Sequence, residues 1–282
     1  MLTIAARLGS SMIPDRASAA RELLAFYLEA GVDALLGEAP RDRLAAAQVD
    51  TEAASAPARR TALPQPRPAP PPRAAPDNAP AAPEIAVMAA REAARNAGSL
   101  IELREILSKF EGCALRTTAK QLVFADGNPQ GRVMFVGEAP GREEDLEGLP
   151  FVGRSGKLLD LMMAAIGLNR STAYIANVIP WRPPGNRTPT PQESQICLPF
   201  IQRQIELADP DVLVCLGGPA AAALLGAKEG IKRTRGRWFT YATGTRDIRA
   251  LATFHPAYLL RSPLEKRFAW RDFLAIKKAL ES

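Results

Sequence analysis

Short apolar runs alternate with longer segments of helical periodicity over most of the chain. Four runs of strand length are apolar on both faces: RVMFVG (132–137), AYIANV (173–178), DVLVCLG (211–217) and RALATF (249–254). Helical patterns follow them near 155–166, 191–207, 218–225 and 264–280, and an earlier helical stretch has a break at 96–98. Apolar runs separated by helices are typical of a mainly parallel sheet that is covered on both faces. The sequence therefore predicts an α/β fold with three layers (α/β/α), in which the central layer is a mainly parallel sheet.

The chain before this pattern contains two segments of different character. Apolar residues at helical spacing within 16–37 predict an amphipathic helix, which is too small to form a domain alone and docks either on the main domain or on another protein. Residues 53–83 hold ten Pro and eleven Ala, a composition that buries too little apolar area to offset the entropy of ordering. We therefore expect an N-terminal helical extension (1–50), a disordered Pro/Ala-rich linker (51–84) and one folded domain (85–282).

Charge is concentrated near the C-terminus. The whole chain has a net charge of +6, whereas Ile231–Ser282 holds twelve Lys/Arg against four Asp/Glu, a local net charge of +8. A basic segment suits a polyanionic partner, although a solvated basic face gives the same charge. No run reaches the roughly 18 apolar residues of a membrane span, and the first residues lack the pattern of an export signal. We expect no membrane partner.

The cysteines indicate a reducing environment. Cys113, Cys197 and Cys215 are odd in number and far apart in the sequence, which argues against a disulfide framework and favours a cytoplasmic protein. The sequence leaves the oligomeric state open, with a monomer as the default.

Polar residues and a glycine-rich turn follow directly after the predicted strands. In a parallel α/β sheet, ligands bind at the carboxyl ends of the strands. Gly137 and Gly141 bound a tight turn whose backbone N–H groups can point at one anion or carbonyl. Several carboxylates crowd this turn, which disfavours a phosphate site, and we expect no nucleotide cofactor. A plain turn with solvated acids is the alternative.

Two further residues occupy equivalent positions after other strands. Asn177 ends the second strand and precedes a proline-stiffened loop, and His255, the only histidine of the chain, follows the fourth strand. Taken alone, Asn177 is as well explained as a strand-end cap and His255 as a hydrogen-bonded structural residue.

Three motifs in this order resemble the family 4 (type-4) uracil-DNA glycosylases of the uracil-DNA glycosylase superfamily. They are GEAPGREEDLEGLPFVGRSGKLLD (137–160), YIANVIPWRPPGNRTPTPQE (174–193) and HPAYLLRSP (255–263). The resemblance runs from about Phe110 to the C-terminus. It implies a DNA repair enzyme that flips uracil out of DNA and hydrolyses its N-glycosidic bond, leaving an abasic site.

Two other functions stay open. One is a protein that binds uracil in DNA without turnover or captures it covalently. The superfamily branch that captures uracil covalently carries a Lys/Arg-rich insertion near the second motif, and this sequence has none, which favours hydrolysis. The other is an unrelated doubly wound hydrolase of a small metabolite, which would not need the basic C-terminal segment.

The resemblance implies a pocket that reads the base. Phe151 would stack on the uracil ring, with ordinary core packing as the alternative role. The Asn177 amide would accept a hydrogen bond from N3–H and donate one to O4. Cytosine presents the reverse pattern, so a fixed amide excludes it. Backbone groups of the first turn would hold a uracil carbonyl, at Gly137, Ala139 and Gly141.

The resemblance also implies the catalytic groups. Cleavage leaves a uracil anion with charge on O2, and a donor aimed at that oxygen is worth roughly 3–4 kcal/mol when preorganised. His255 would be this donor. Glu138 would provide the negative charge beside the oxocarbenium-like sugar, with Asp145 as the reserve candidate.

Contacts with DNA are implied around the third motif. Leu259 and Leu260 would fill the gap that the flipped nucleotide leaves, with packing of one of the pair on the final helix as the alternative. Arg187 and Arg261 would bind phosphates, which position DNA without reading its sequence.

The family carries a [4Fe–4S] cluster on four cysteines, two of them in a Cys-x-x-Cys pair. Here Cys113 stands alone, because the partner position is Phe110, while Cys197 and Cys215 match the later two ligands. Four thiolates are the usual requirement. Either a three-cysteine cluster survives with a water or carboxylate as fourth ligand, or apolar packing replaces the cluster.

Overall fold

The computed structural model describes residues 83–281. The predicted N-terminal extension and nearly all of the predicted linker therefore lie outside the described residues. The helices, with two short 3-10 turns at Pro184–Asn186 and Pro263–Glu265, are α1 (Pro83–Arg95), α2 (Leu100–Lys109), α3 (Leu115–Thr118), α4 (Arg142–Glu147), α5 (Arg154–Ala164), α6 (Pro191–Ala208), α7 (Gly218–Leu225), α8 (Ile231–Thr234), α9 (Pro256–Arg261) and α10 (Lys266–Glu281). The strands are β1 (Asp126–Gly127), β2 (Val133–Gly137), β3 (Ala173–Asn177), β4 (Val212–Leu216), β5 (Trp238–Ala242) and β6 (Asp247–Thr253).

The described strands form one mixed sheet in the order β1-β3-β2-β4-β6-β5. The four central strands are parallel, and each edge strand is antiparallel to its neighbour. The four predicted strands are the central ones, so the predicted three-layer fold with a mainly parallel sheet is confirmed. The edge strands β1 and β5 were not predicted, because one has two residues and the other is largely exposed.

Both faces of the sheet are covered, which explains the continuous apolar runs. Along β2, Met134 and Val136 pack into the cluster beneath α1, α2, α6 and α7. Val133 and Phe135 point the other way, into the cluster beneath α5 and α10. Alternate residues of one strand thus serve two cores, and a polar residue at either position would be buried.

Local signals set the helix ends. The predicted break at 96–98 separates α1 from α2, whose N-cap Ser99 accepts from the Glu102 N–H. Thr190 and Glu193 form a capping box that begins α6 after the proline-rich loop. α1 begins at Pro83, two residues before the predicted domain start, consistent with the preference of proline for the first helical turn. No helix within 83–281 has the length and apolarity to cross a membrane.

Candidate active site

A cavity of about 590 Å³ opens at the carboxyl end of the sheet. Because the central strands are parallel, the residues that follow β2, β3, β4 and β6 meet at this one edge. Gly137 and Asn177 are direct neighbours across β2 and β3, as are Leu216 and Thr253 across β4 and β6. The cavity wall includes most of the predicted site residues: Glu138, Ala139, Gly141, Phe151, Asn177, Arg187, His255 and Arg261.

The Asn177 side chain lies in the cavity wall with an unsatisfied acceptor. The residue is 5% exposed, and its Oδ1 is the one buried side-chain N or O atom within residues 83–281 that has no hydrogen-bond partner. A buried acceptor of this kind costs about 1–3 kcal/mol. The arrangement favours a ligand that brings an N–H donor to this oxygen.

Gly137 lies beneath the Asn177 amide and the Phe151 ring. A Cβ at Gly137 would lie 2.4 Å from Asn177 Oδ1 and 2.6 Å from Phe151 Cζ. The missing side chain is therefore what lets the amide and the aromatic ring meet. Gly137 does not itself line the cavity.

His255 is the N-cap of α9 and lies in the cavity wall. Its Nδ1 accepts a hydrogen bond from the Ala257 N–H at 3.1 Å, so the proton of the neutral ring is on Nε2. Burial, aided by the nearby Arg261 charge, lowers the pKa of His255 to about 4. The ring stacks on Phe151 with 5.5 Å between ring centroids. His255 is therefore a neutral N–H donor at neutral pH.

The two predicted catalytic acids have different surroundings. Glu138 is half-buried in the cavity wall, and burial raises the pKa of its carboxyl. Asp145 is buried, accepts from the Lys120 N–H at 2.8 Å and lies 3.8 Å from Arg182. Asp145 does not line the cavity, so the structure brings Glu138 to the site and leaves the reserve candidate outside it.

Glu144 joins the two loops that frame the site. Its carboxylate accepts from the Gly141 N–H at 3.0 Å and from the Gly153 N–H at 3.1 Å. The Gly141 N–H is thus already bonded within the protein, contrary to the expectation that it holds a uracil carbonyl. From the sequence, Glu144 was treated only as one of several acids in a crowded turn. Its position three residues after Gly141 is typical of a capping box, and this spacing could have identified its structural role.

The two predicted wedge leucines point in different directions. Leu259 is 1% exposed and packs with Phe254 and Ala269, so it belongs to the core. Leu260 is 37% exposed, beside Arg261. Successive residues of a helix project about 100° apart, so only one of a Leu-Leu pair can face outward here.

The two predicted phosphate contacts also differ. Arg261 is exposed at the cavity mouth. Arg187 also lines the cavity, but Glu193 binds its guanidinium through two contacts of 2.6 and 2.8 Å.

Gly217 completes the wall after β4 and was missed by sequence reasoning. It has a φ of +96°, and a Cβ there would lie 3.1 Å from the His255 Cβ. The Gly-Gly-Pro that follows the third apolar run was the signal, because it occupies the same position after its strand as the other site residues.

The three cysteines are buried in the core beneath α1, α2, α6 and α7. The sulfurs of Cys113 and Cys197 are 3.9 Å apart and form a direct side-chain contact. The Phe110 ring packs edge-on against Phe200 with 4.9 Å between centroids. Among the described residues, no three His, Cys, Asp or Glu side chains are grouped to hold a metal ion.

Comparison with known proteins agrees with the fold and the cavity. The family model described as "Uracil DNA glycosylase superfamily" matches residues 124–274, more than half of the chain. The chain therefore belongs to the uracil-DNA glycosylase superfamily, and its parallel sheet and carboxyl-end pocket agree with this assignment.

Similar proteins of known family narrow the assignment from the superfamily to one of its families. The chain is 44% identical to the type-4 uracil-DNA glycosylase of Thermotoga maritima over 57% of this chain and 85% of the relative. It is 41% identical to the type-4 uracil-DNA glycosylase of Archaeoglobus fulgidus over 62% and 89% respectively. The chain belongs to the type-4 uracil-DNA glycosylases.

Proposed function

We propose that the protein is a DNA repair enzyme that excises uracil, releasing the free base and leaving an abasic site in DNA. The observation that carries the proposal is the buried, unsatisfied Oδ1 of Asn177 in a cavity beside an aromatic ring and a neutral imidazole. The type-4 uracil-DNA glycosylases among its relatives support the same activity. A protein that only binds uracil is not favoured.

Base recognition follows from the donors and acceptors of Asn177. The N3–H of a flipped uracil satisfies the Asn177 Oδ1, and the amide nitrogen donates to uracil O4. Cytosine has an acceptor at N3 and a donor at C4, so both contacts become repulsive. Phe151 adds stacking, which is worth about 1–3 kcal/mol per base.

His255 and Glu138 share the chemistry of the cleavage. When the bond between C1′ and uracil N1 breaks, its electron pair leaves with the base and charge gathers on O2. The Nε2–H of His255 donates to this oxygen without giving up its proton. The Glu138 carboxylate stabilises the cationic sugar and takes a proton from the water that attacks C1′.

DNA contacts are assigned to the exposed part of α9. Leu260 fills the gap left by the flipped nucleotide, and Arg261 binds a phosphate at the cavity mouth. Arg187 binds a phosphate only when its ion pair with Glu193 opens. Leu259 is left to the core.

We expect the single imidazole to titrate far below its ordinary pKa. The unfolded chain binds a proton at a histidine with a pKa near 6.5, whereas burial lowers the folded value of His255 to about 4. The unfolded state therefore binds more protons between these values, and stability falls as pH decreases from about 6.5 to about 4. Because the chain has one histidine, NMR of untagged protein gives one imidazole signal to follow. A midpoint near 6.5 in the folded protein contradicts a buried, neutral donor.

A [4Fe–4S] cluster has no step in this mechanism, because the residues present do not fit one. Cys113 and Cys197 are in sulfur–sulfur contact, and the position of the missing cysteine holds Phe110, packed on Phe200. These contacts support replacement of the cluster by apolar packing.

Protein purified without oxygen is accordingly expected to be colourless, with iron and acid-labile sulfide at background levels. Metal and sulfide analysis together with the visible spectrum checks this. A stoichiometric four-iron content, lost on replacing Cys113 with alanine, overturns it.

The proposal includes a monomer that acts on uracil-containing DNA in a reducing, cytoplasmic setting. The three cysteines, which are buried as free thiols, are consistent with such a setting. The basic segment from Ile231 onward suits the polyanionic substrate.

The activity is tested with labelled oligonucleotides that carry uracil opposite G, opposite A or unpaired, with cytosine in place of uracil as the control. Free uracil and an alkali-labile site are expected from at least one uracil substrate and from no cytosine substrate. A protein–DNA band that resists denaturant, without released uracil, indicates covalent capture instead. Intact DNA in every lane contradicts the proposal.

A further inference from the structure

Phe151 has a backbone conformation that is unfavourable for a phenylalanine. Its φ is +56°, in the left-handed region, and a bulky residue there is strained by about 1–3 kcal/mol. Such strain persists only where the surroundings hold it. The same residue presents its ring to the cavity, against His255 and above Gly137.

Arg170 holds this turn from behind. Its Nη2 donates to the Phe151 carbonyl at 2.5 Å, and its Nη1 donates to the Pro150 carbonyl at 3.2 Å. On another side α5 comes very close, since a Cβ at Gly156 would lie 1.6 Å from the Phe151 oxygen. The strained carbonyl is therefore fixed by a charged donor and by a helix that approaches only because residue 156 is glycine.

Two carboxylates fix the guanidinium in turn. Asp160 on α5 accepts from Arg170 Nε at 2.9 Å, and Asp126 on β1 pairs with Nη1. The Arg170 side chain is only 26% exposed, so these pairs are partly shielded from water. The planar Arg170 guanidinium binds two carbonyls and two carboxylates at the same time, which a lysine ammonium cannot do.

We propose that Arg170 is a positioning residue for uracil excision. Held by Asp126 and Asp160, it keeps the Phe151 backbone in the left-handed conformation and so sets the ring where the flipped base stacks. The inference rests on the proposed function, and in particular on the role of Phe151.

The experiment compares Arg170→Gln, Phe151→Ala and the double variant with the wild-type protein. Stacking is worth about 1–3 kcal/mol by alanine substitution, or about 5- to 150-fold. We expect each single variant to lose activity within this range and inhibition by free uracil to weaken in parallel. Affinity for uracil-free duplex DNA should be unchanged. Because Arg170 acts through Phe151, the double variant should be no slower than Phe151→Ala alone.

Arg246 provides a matched control. It binds the carbonyls of Asp209 and Pro210 and the carboxylates of Asp209 and Asp211, and Asp209 also has a positive φ. This arrangement does not line the cavity. Arg246→Gln should therefore leave excision and uracil inhibition at wild-type values, even where it lowers the unfolding temperature.

Two milder variants keep the test decisive if Arg170→Gln does not fold. Arg170→Lys keeps the charge and Asp160→Asn removes one carboxylate, and each should lose part of the activity with the same weakening of uracil inhibition. Wild-type excision and inhibition in the folded Arg170 variants, or losses that add in the double variant, overturn the proposal. If the wild-type protein itself releases no uracil, the proposed function fails first, and the two failures are distinguished.

Discussion

Replacing His255 with alanine is expected to lower kcat for uracil excision by about 10²–10³-fold, the usual loss when one preorganised oxyanion donor is removed. The imidazole is neutral, because burial lowers its pKa to about 4, and its Nδ1 is bonded to the Ala257 N–H. Its Nε2–H is therefore the group left to donate to uracil O2. Single-turnover kinetics under saturating enzyme measure this loss apart from product release.

The control variant for this position is His255→Ser. His255 is the N-cap of α9, and serine is among the best N-cap residues. The variant should preserve α9 and the unfolding temperature, but its short hydroxyl ends well before the position of Nε2 and does not reach uracil O2, so it should be about as slow as His255→Ala. Recovery of wild-type kcat in His255→Ser would assign the histidine a capping role only.

Replacing Asn177 with aspartate is expected to lower uracil excision about 100-fold or more and to reduce the preference for uracil over cytosine. The carboxylate offers no donor to uracil O4, so two buried acceptors face each other, and each unsatisfied buried group costs about 1–3 kcal/mol. The same carboxylate accepts from the amino group of cytosine. Excision rates on matched uracil and cytosine oligonucleotides give the ratio directly.

Asn177→Ala distinguishes the loss of contacts with uracil from a changed preference between uracil and cytosine. It removes both contacts without adding an acceptor, so it should be slow on uracil and gain nothing on cytosine. An unchanged uracil-to-cytosine ratio in Asn177→Asp, with the fold intact, removes this residue from base recognition.

The apolar pattern was sufficient to predict the centre of the fold. Strands such as β2 and β4 are buried on both faces, so every residue is apolar and the run stands out in the sequence. β5 lies at a sheet edge and is mostly exposed, which gives no such run. The apolar pattern therefore predicts the central strands and the three layers, but it does not predict the edge strands.

The site could be predicted only in part. Asn177 and His255 were identified by their positions after strands together with the motifs around them, and both line the cavity. Leu259 and Leu260 are equivalent in sequence, and only the packing of α9 separates the buried one from the exposed one. Arg170 approaches Phe151 from 19 residues away, a contact that no local pattern contains.

The shortness of α9 has a mechanical consequence. The six-residue helix starts directly after His255 and ends at Arg261, so His255 and the proposed wedge residue Leu260 lie on one helix of less than two turns. In the proposed mechanism, a shift of α9 that follows from DNA binding at Leu260 therefore also moves the imidazole that donates to uracil O2. We expect substitutions that displace Leu260 to change catalysis at His255 as well.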